Sequence, residues 1–449
     1  MEESNLLNKI VELCKRRGII YQSSEIYGGA GGVYDFGPLG VEIKNSLKKF
    51  LWKRFVYLRD DILGIDTGIL MLRSVWQASG HESNFVDLMV ECKKCHQRFR
   101  IDDIENDKCP SCKNELTPPR QFNLMFKTYF GPLEDSGHLT FLRPETAQGM
   151  FVNFKNIIDT SRVKIPFGIF QIGKAFRNEI TPKNFVFRTR EFEQAEIEYF
   201  IKPYKKEGEK WFKYWLNEWE KLFLDLGIST KNLRFRPHLK EELAHYSLAT
   251  VDVEYSFPFK GSQSQEGWAE LAGVANRTDF DLKRHSQVSG KDLSYFDEDK
   301  KEKFFPWVIE PTMGIDRTIL ALLCEGYEEY EKGRKGNSQK EVVLKLRPFL
   351  APYKVAVFPL VKKESLIKLA KEMYSKLKEN IEGKIFYDET GSIGRRYRRQ
   401  DEIGTPYCIT IDFDSLKDKK ATIRDRDTME QERLELDKIP HFIKRKTMI

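Results

Sequence analysis

Apolar and polar positions along this chain switch between two periods, and the switches mark its parts. From Leu39 to Leu58 the residues Ile43, Leu47, Phe50, Leu51, Phe55 and Leu58 recur at helical spacing. Lysines fill much of the other face, which predicts an amphipathic helix. Just before it, EIYGGAGGVYDFGPLG (Glu25–Gly40) carries enough glycine for a backbone free to enter unusual conformations. Residues 91–120 break the pattern: polar, cysteine-bearing and ending in Pro118-Pro119, they read as a small inserted module. Strand-like runs follow at Phe122–Phe130, Leu139–Leu142, Pro166–Arg177 and Phe187–Phe200. The last two are joined by a loop with Thr181-Pro182 and Asn184, which predicts a β-hairpin. Residues 207–226 predict a helix with Trp211, Trp215 and Trp219 on one face, a stripe that suits packing.

After Pro306 the segment WVIEPTMGIDRTILALLCEGYEEY reads strand, turn, helix. The character changes again around Lys345–Pro352. VAVFPL has the composition of a buried parallel strand, a helix follows from about Lys362 to Lys378, and KIFYDE and PYCITIDF are strand-like. This alternation predicts a separate α/β domain over 351–449. The larger unit, 1–350, contains the module at 91–120 and an inserted segment at about 201–265.

Length and composition add limits. The 449 residues allow two to three domains at roughly 150 residues each, and 40% hydrophobic residues suit a real core. Lys+Arg number 75 against 68 Asp+Glu, a net +7 that permits a polyanionic partner and equally an ordinary solvated surface. No apolar run reaches the ~18 residues needed to span a bilayer, so no membrane role is expected. The first residues, MEESNLLNKI, are acidic and polar, unlike a signal peptide. Seven cysteines is an odd count, and four stand in two C-x-x-C pairs, Cys92/Cys95 and Cys109/Cys112. That favours metal ligation in a reducing, cytoplasmic compartment over a disulfide frame. Each pair offers two thiolates from a tight turn, and two pairs complete a tetrahedral structural Zn²⁺ site with no open position for catalysis. His96, beside Cys95, reads as a bystander, and Cys14, Cys324 and Cys408 as incidental thiols.

The hairpin region GIFQIGKAFRNEITPKNFVFRTREFEQAEIEYF (Gly168–Phe200) carries the most chemistry. On its second strand Phe192, Gln194 and Glu196 share one face, and Glu193, Ala195 and Ile197 the other. A face with an arginine, a ring and carboxylates is poor core material, because buried charges need partners. It is good ligand-binding material, and a solvated, salt-bridged edge hairpin fits the pattern equally. GIDR (Gly314–Arg317) adds a second arginine where a strand meets a helix, and two arginines suit a triphosphate. No G-x-x-x-x-G-K-[ST], G-x-G-x-x-G or G-x-S-x-G motif is present.

FRNE (Phe176–Glu179) with FRTREFEQAE (Phe187–Glu196) resembles motif 2 of class II aminoacyl-tRNA synthetases, and EPTMGIDR (Glu310–Arg317) resembles motif 3. The helix and strand from Leu39 to about Leu72 occupy the place of the dimer-forming motif 1. SEIYGGAGGVYDFGPLG, QASGH (Gln77–His81), RQFNLMFKT (Arg120–Thr128), FLRPETAQGMFVNFKN (Phe141–Asn156) and ELAGVANRTDFDLKRH (Glu270–His285) look like the homodimeric glycyl-tRNA synthetases. APYKVAVFPL and DETGSIGRRYRRQDEIGTPYCITID resemble the anticodon-binding domain of the glycine, histidine, threonine and proline enzymes. The resemblance implies an α+β catalytic domain on an antiparallel sheet flanked by helices, with a zinc-ribbon-like insertion and a C-terminal α/β anticodon-binding domain. It implies glycine, ATP with Mg²⁺, tRNA(Gly) and a second copy of the chain as partners, and a glycyl-adenylate intermediate.

By the same resemblance Arg177, Arg317 and Glu270 carry the catalytic roles: Arg177 on the α-phosphate, Arg317 on the γ-phosphate, Glu270 as a Mg²⁺ contact. Asn178, Glu179, Phe187, Arg188, Thr189, Arg190, Glu191, Phe192, Leu271, Gly314, Ile315 and Asp316 complete the ATP site, with Phe192 stacked on adenine. Arg100, Glu145, Phe192, Glu193, Gln194, Ala195, Glu196, Glu310, Pro311, Thr312, Met313 and Gly314 line the glycine pocket. Three departures stand out: Thr312 replaces the usual Ser, GSQSQEGWAEL is longer than the usual G-W-G-E-L, and no motif 1 proline is evident. The basic run RRYRR (Arg395–Arg399) suits phosphate contacts and equally a solvated loop. A sister synthetase, a synthetase-like protein without catalysis and a zinc-ribbon nucleic-acid protein are the alternatives. The glycine-type signatures, the two arginines and the length of chain beyond the ribbon count against each in turn.

Overall fold

The computed structural model describes residues 3–104, 106–244, 247–259, 267–334, 336 and 340–448. Seven strands form the central sheet: β1 (Ile62–Gly64), β2 (Phe167–Phe176), β3 (Glu191–Ile201), β4 (Leu233–Pro237), β5 (Ala249–Ser256), β6 (Trp268–Thr278) and β7 (Trp307–Gly314). They lie in the order β4-β5-β6-β7-β3-β2-β1, and each neighbouring pair is antiparallel except β1 with β2. Around them pack α1 (Gly40–Trp52), α2 (Ala147–Val152), α3 (Lys205–Leu226), α4 (Phe280–Ser289) and α5 (Ile315–Gly326).

Period-two alternation decides what each face does. On β3, Ala195, Ile197, Tyr199 and Ile201 point into one core with Val253, Ala272, Val274, Ile309 and Met313. Ile43, Leu47 and Leu51 of α1, Trp215 and Trp219 of α3 and Ile319 of α5 close over that face. Each large apolar side chain so buried contributes about 1.5–3 kcal/mol. The tryptophan stripe is therefore packing, and the Trp219 indole N–H also donates to Gly273 O at 3.2 Å. On the opposite face Phe151 and Phe154 pack with Phe167, Ile169 and Phe200 over the lower half of the sheet. The upper half of that face carries the polar site.

The structure moves several expected boundaries. The helix expected over Leu39–Leu58 is regular only to Trp52 and ends in a π-helical turn, Lys53–Tyr57. Its stripe is spent inside its own chain, while Tyr57 and Leu58 stand exposed. The run Phe122–Phe130 divides into Arg120–Asn123 and Lys127–Tyr129, which belong to different sheets. Phe185–Phe187 form a 3-10 turn, so the second hairpin strand begins at Glu191. No turn separates β7 from α5, and Tyr327–Tyr330 is a strand paired with Glu341–Leu344. Within the segment at about 201–265, α3, β4 and β5 build the main sheet and its cover. Residues 245, 246 and 260–266, which include the whole GSQSQE stretch, lie outside the described residues.

Beyond Leu350 a second sheet forms from β8 (Tyr353–Pro359), β9 (Lys384–Tyr387), β10 (Tyr407–Ile411), β11 (Lys420–Asp425) and β12 (Gln431–Glu435), in the order β9-β8-β10-β11-β12. The β8 strand is parallel to both its neighbours, in keeping with the apolar run Val355–Pro359. It is covered by α6 (Glu364–Asn380) and α8 (Ile439–Thr447), while α7 (Ile393–Ile403) packs against the first unit. There Ile403 joins the first core beside Leu344 and Leu346, and Asp401 receives the guanidinium groups of Arg334 and Arg424. The basic run lies on α7 and turns only partly inward, with Arg395 exposed. Arg396 is buried and donates to Pro359 O and Leu360 O, and Arg399 pairs with Asp388. Among the described residues no helix is long and apolar enough to cross a membrane.

Candidate active site

The site is a cavity of about 500 Å³ on the polar half of the sheet. Register explains which side chains meet there. Gln171, Glu196, Thr312, Gly273 and Asp252 sit opposite one another on β2, β3, β7, β6 and β5, a single row across the sheet. The neighbouring row, Ile172, Ala195, Met313, Ala272 and Val253, points into the core.

At one end of the cavity stand the two arginines. Arg177 donates from Nε to Pro144 O at 3.1 Å, and its guanidinium lies 5.4 Å from the Phe85 ring centre and 5.3 Å from that of Phe192. Arg317 lies 4.5 Å above the Phe187 ring and donates to Phe187 O and to Glu270 Oε2, at 3.0 and 2.9 Å. Glu270 is half-exposed at the cavity wall, where desolvation raises its carboxyl, but Arg317, with Arg177 and His238 beyond, brings it below the ordinary carboxylate value. Arg188 Nε lies 3.4 Å from Glu179 Oε2. Nearer the mouth, His238 Nε2 lies 2.8 Å from Asp252 Oδ2 and Arg236 pairs with the same carboxylate.

At the other end carboxyl groups crowd together. Glu196 is buried, accepts the Thr146 N–H at 2.9 Å and the Thr146 hydroxyl on Oε2, and accepts the Thr312 hydroxyl at 3.1 Å on Oε1. Burial and the nearby Glu145 raise its proton affinity, against those three donors. Glu145 goes the other way: burial is outweighed by His81, whose Nε2 lies 3.2 Å away, and by Arg277, so it titrates far below the usual range. Ser79 Oγ contacts His81 Nδ1 at 2.8 Å and orients that ring. Arg277 holds Asp281 through Nε and Nη2, at 2.8 and 2.9 Å, and Glu310 through Nη1 at 2.5 Å. Burial still pushes Glu310 up to about 8, against the Arg277 charge.

Most expected residues line this one cavity: Glu145, Arg177, Glu179, Phe187, Arg188, Thr189, Phe192, Gln194, Glu196, Glu270, Leu271, Glu310, Thr312, Gly314 and Arg317. Others do not line it. Arg100 is held by Asp87 and Asp102, at 3.0 and 3.1 Å. Arg190 donates to Gly31 O and Glu179 O and so braces the loop between β2 and β3. Glu191 pairs with Lys174, and Asn178 N–H donates to Leu124 O. Ala195, Pro311 and Ile315 face away, since alternation and the start of α5 turn them into the core. Glu193, Asp316 and Met313 border the cavity, but Glu193 and Asp316 pair with Lys44 of α1 behind the sheet, and the Met313 side chain is core. Sequence reasoning missed Arg277, Asp281, His81, Glu198 and Gln148, whose amide donates to Glu145 at 2.9 Å and to Asp281 at 3.0 Å. Extending the alternation from Glu196 two positions onward would have found Glu198, and Arg277 with Asp281 stand four residues apart.

Away from the cavity, Val86–Glu91, Arg98–Arg100 and Arg120–Asn123 form a three-stranded sheet that carries the cysteines. The Sγ atoms of Cys92, Cys95, Cys109 and Cys112 all lie within 4.8 Å of one another. Cys92 to Cys112 is 3.4 Å and Cys95 to Cys109 is 3.6 Å. Four sulfurs about 2.3 Å from one ion would stand about 3.8 Å apart, so the cluster fits tetrahedral zinc. The backbone N–H of Cys95 and then Lys94 point at Cys92 Sγ and lower its thiol, as a metal-binding turn requires. His96 turns away to Glu91, 3.4 Å distant.

Residues 126–326 match "tRNA synthetase class II core domain (G, H, P, S and T)", and residues 354–446 match "Anticodon binding domain". A prolyl-tRNA synthetase from Cryptosporidium parvum shares the fold, with a TM-score of 0.65 over 98% of this chain and 75% of that one, at 15% identity. The architecture is thus that of a class II aminoacyl-tRNA synthetase. Glycine–tRNA ligases from Thermobifida fusca (strain YX) and Treponema denticola (strain ATCC 35405) are 49% and 50% identical. The first match spans 98% of both chains, the second 97% of this chain and 96% of that one. The chain belongs to the glycine–tRNA ligase family.

Proposed function

We propose that the chain attaches glycine to tRNA(Gly) in two steps, with ATP·Mg²⁺ and glycine meeting in the cavity described above. The observation that carries this is one cavity with two arginines at one end and a buried carboxyl cluster at the other. A triphosphate needs the first and an ammonium the second. The glycine carboxylate attacks the α-phosphorus and pyrophosphate leaves, so no protein nucleophile is required and the protein contributes position and charge. Arg177, stacked on Phe192, would meet charge developing at the α-phosphate. Arg317 would meet the γ-phosphate, and in doing so would release Glu270 toward Mg²⁺.

Glu145, Glu196 and Glu310 would receive the glycine ammonium, and Thr312, hydrogen-bonded to Glu196, would wall the space where a larger amino acid places its side chain. Excluding a side chain by clash is sharper than recognising a missing methylene, which is worth only about 1–3 kcal/mol. Cys92, Cys95, Cys109 and Cys112 would hold a structural zinc that ties the module's turns together. The unit from 351 to 449 would read the tRNA, and a second copy of the chain would complete a homodimer in the cytoplasm. The apolar stripe of α1 is already buried within its own chain, so that dimer would have to use other groups.

Amino-acid-dependent pyrophosphate–ATP exchange with each of the twenty amino acids tests the reading. Exchange with glycine alone is expected; exchange with another amino acid, or with none, would overturn it.

A further inference from the structure

Glu198 follows Glu196 by two positions on β3 and so points to the same face. It is completely buried. The pairing of β3 with β7 keeps one register from Gln194–Gly314 through Glu196–Thr312 to Tyr199–Ile309, which sets Glu198 directly opposite Glu310. Cβ atoms so opposed stand about 4.5–5.5 Å apart, and like charges there repel. On its other side Glu198 faces Ile169, in the apolar floor with Phe167 and Phe200.

Among the described residues no donor reaches either Glu198 oxygen. A fully buried carboxylate without a single accepted hydrogen bond is a species proteins avoid. The charged groups around it are Glu310 on β7, Arg277 on β6, Glu196 on β3 and Asp281 on α4. Three of these four are acids, and the Arg277 hydrogen bonds go to Asp281 and Glu310. As a carboxylic acid, by contrast, Glu198 has one hydrogen to give, and its acceptor stands opposite.

We propose that Glu198 is a positioning residue: it stands as a neutral carboxylic acid and donates its O–H to Glu310, fixing the carboxylate that receives the glycine ammonium. Burial, with Glu310 next, raises its proton affinity far above that of an ordinary glutamate, as the role requires. The Glu198 O–H adds to the Arg277 N–H in opposing the burial that raises Glu310, and so holds Glu310 as the carboxylate with its remaining lone pairs turned to the cavity. The inference rests on the reading that this cavity takes glycine.

Two substitutions and one spectrum test it in the full-length protein. In Glu198→Gln the amide N–H replaces the acid O–H, and the glycine KM in pyrophosphate exchange is expected to stay within about three-fold of wild type. In Glu198→Leu no donor remains, and the glycine KM is expected to rise roughly ten- to a hundred-fold while the ATP KM holds. Infrared difference spectra of wild type against Glu198→Gln should show the C=O stretch of one protonated carboxyl, lost in the variant. Equal damage in both variants would mean an ionised Glu198 is needed, and would overturn the proposal. An undamaged Glu198→Leu, or a wild type without the protonated carboxyl band, would overturn it too. If wild-type protein shows no glycine-dependent exchange at all, the reading of the cavity fails instead; the infrared band tests the neutral acid independently of that reading.

Discussion

Replacing Glu196 by glutamine isolates one charge in the amino-acid pocket. The carboxylate accepts two bonds from Thr146 on Oε2 and one from the Thr312 hydroxyl on Oε1. A glutamine carbonyl can keep both Thr146 donors. Its NH₂ then faces Thr312, whose hydroxyl turns round to accept. The fold should therefore lose no more than about 1 kcal/mol, the net worth of an ordinary hydrogen bond. The ammonium loses more, because its bond to a carboxylate is charge-assisted and worth about 1.5–3 kcal/mol. At about 1.4 kcal/mol per decade, that is roughly a ten- to hundred-fold rise in the glycine KM. Glu196 is only 2% exposed, so little solvent screening softens the loss. Pyrophosphate exchange with glycine and ATP varied in turn is the assay, and the ATP KM should change less than about three-fold. An unchanged glycine KM would refute the assignment and move the ammonium to Glu145 or Glu310.

Further outcomes are expected elsewhere. Arg177→Ala should abolish exchange with a smaller loss of ATP binding, since the arginine acts on charge that builds in the transition state; equal losses in kcat and nucleotide affinity would contradict this. Protein purified without added metal should contain one zinc per chain, and Cys95→Ser should lose it; equal zinc in both by elemental analysis would sink the site. A chain ending at Leu350 should keep pyrophosphate exchange, charge tRNA poorly and melt earlier, because buried Arg334 loses Asp401; intact charging at moderate salt would remove the tRNA-reading role from the second unit.

Much of this was legible in the sequence because strand alternation is a local rule. Phe192, Gln194 and Glu196 could be placed on one face from spacing alone, and the sheet confirms it. What spacing could not give is the third dimension of the pocket. Arg277, Asp281 and His81 reach the carboxyl cluster from β6, α4 and the short helix His81–Asn84, and no periodicity joins those segments. Arg100 looked like a ligand contact through resemblance, yet two nearby aspartates hold it. The arginines of Arg395–Arg399 read as a surface charge run, but a helix has an inside, and Arg396 lies on it. Local sequence does not tell a sheet edge from a separate body, so the place of β4 and β5 in the main sheet is visible only in the fold.

The joint between the two units has a mechanical meaning. Ile403 lies in the first core, Asp401 binds Arg334, and Arg426 reaches back to Leu346 O at 2.8 Å. Lys354 at the start of β8 donates to Ser46 Oγ of α1 at 3.2 Å, and Glu402 receives both Arg16 and Arg17. A seam sealed by a buried ion pair and shared apolar packing leaves little room for a swivel. Such a chain should behave as a caliper of fixed span, with heat dissolving both jaws in one cooperative transition. A bound tRNA would then be measured for length between its two ends, and any bending needed to fit would fall on the nucleic acid.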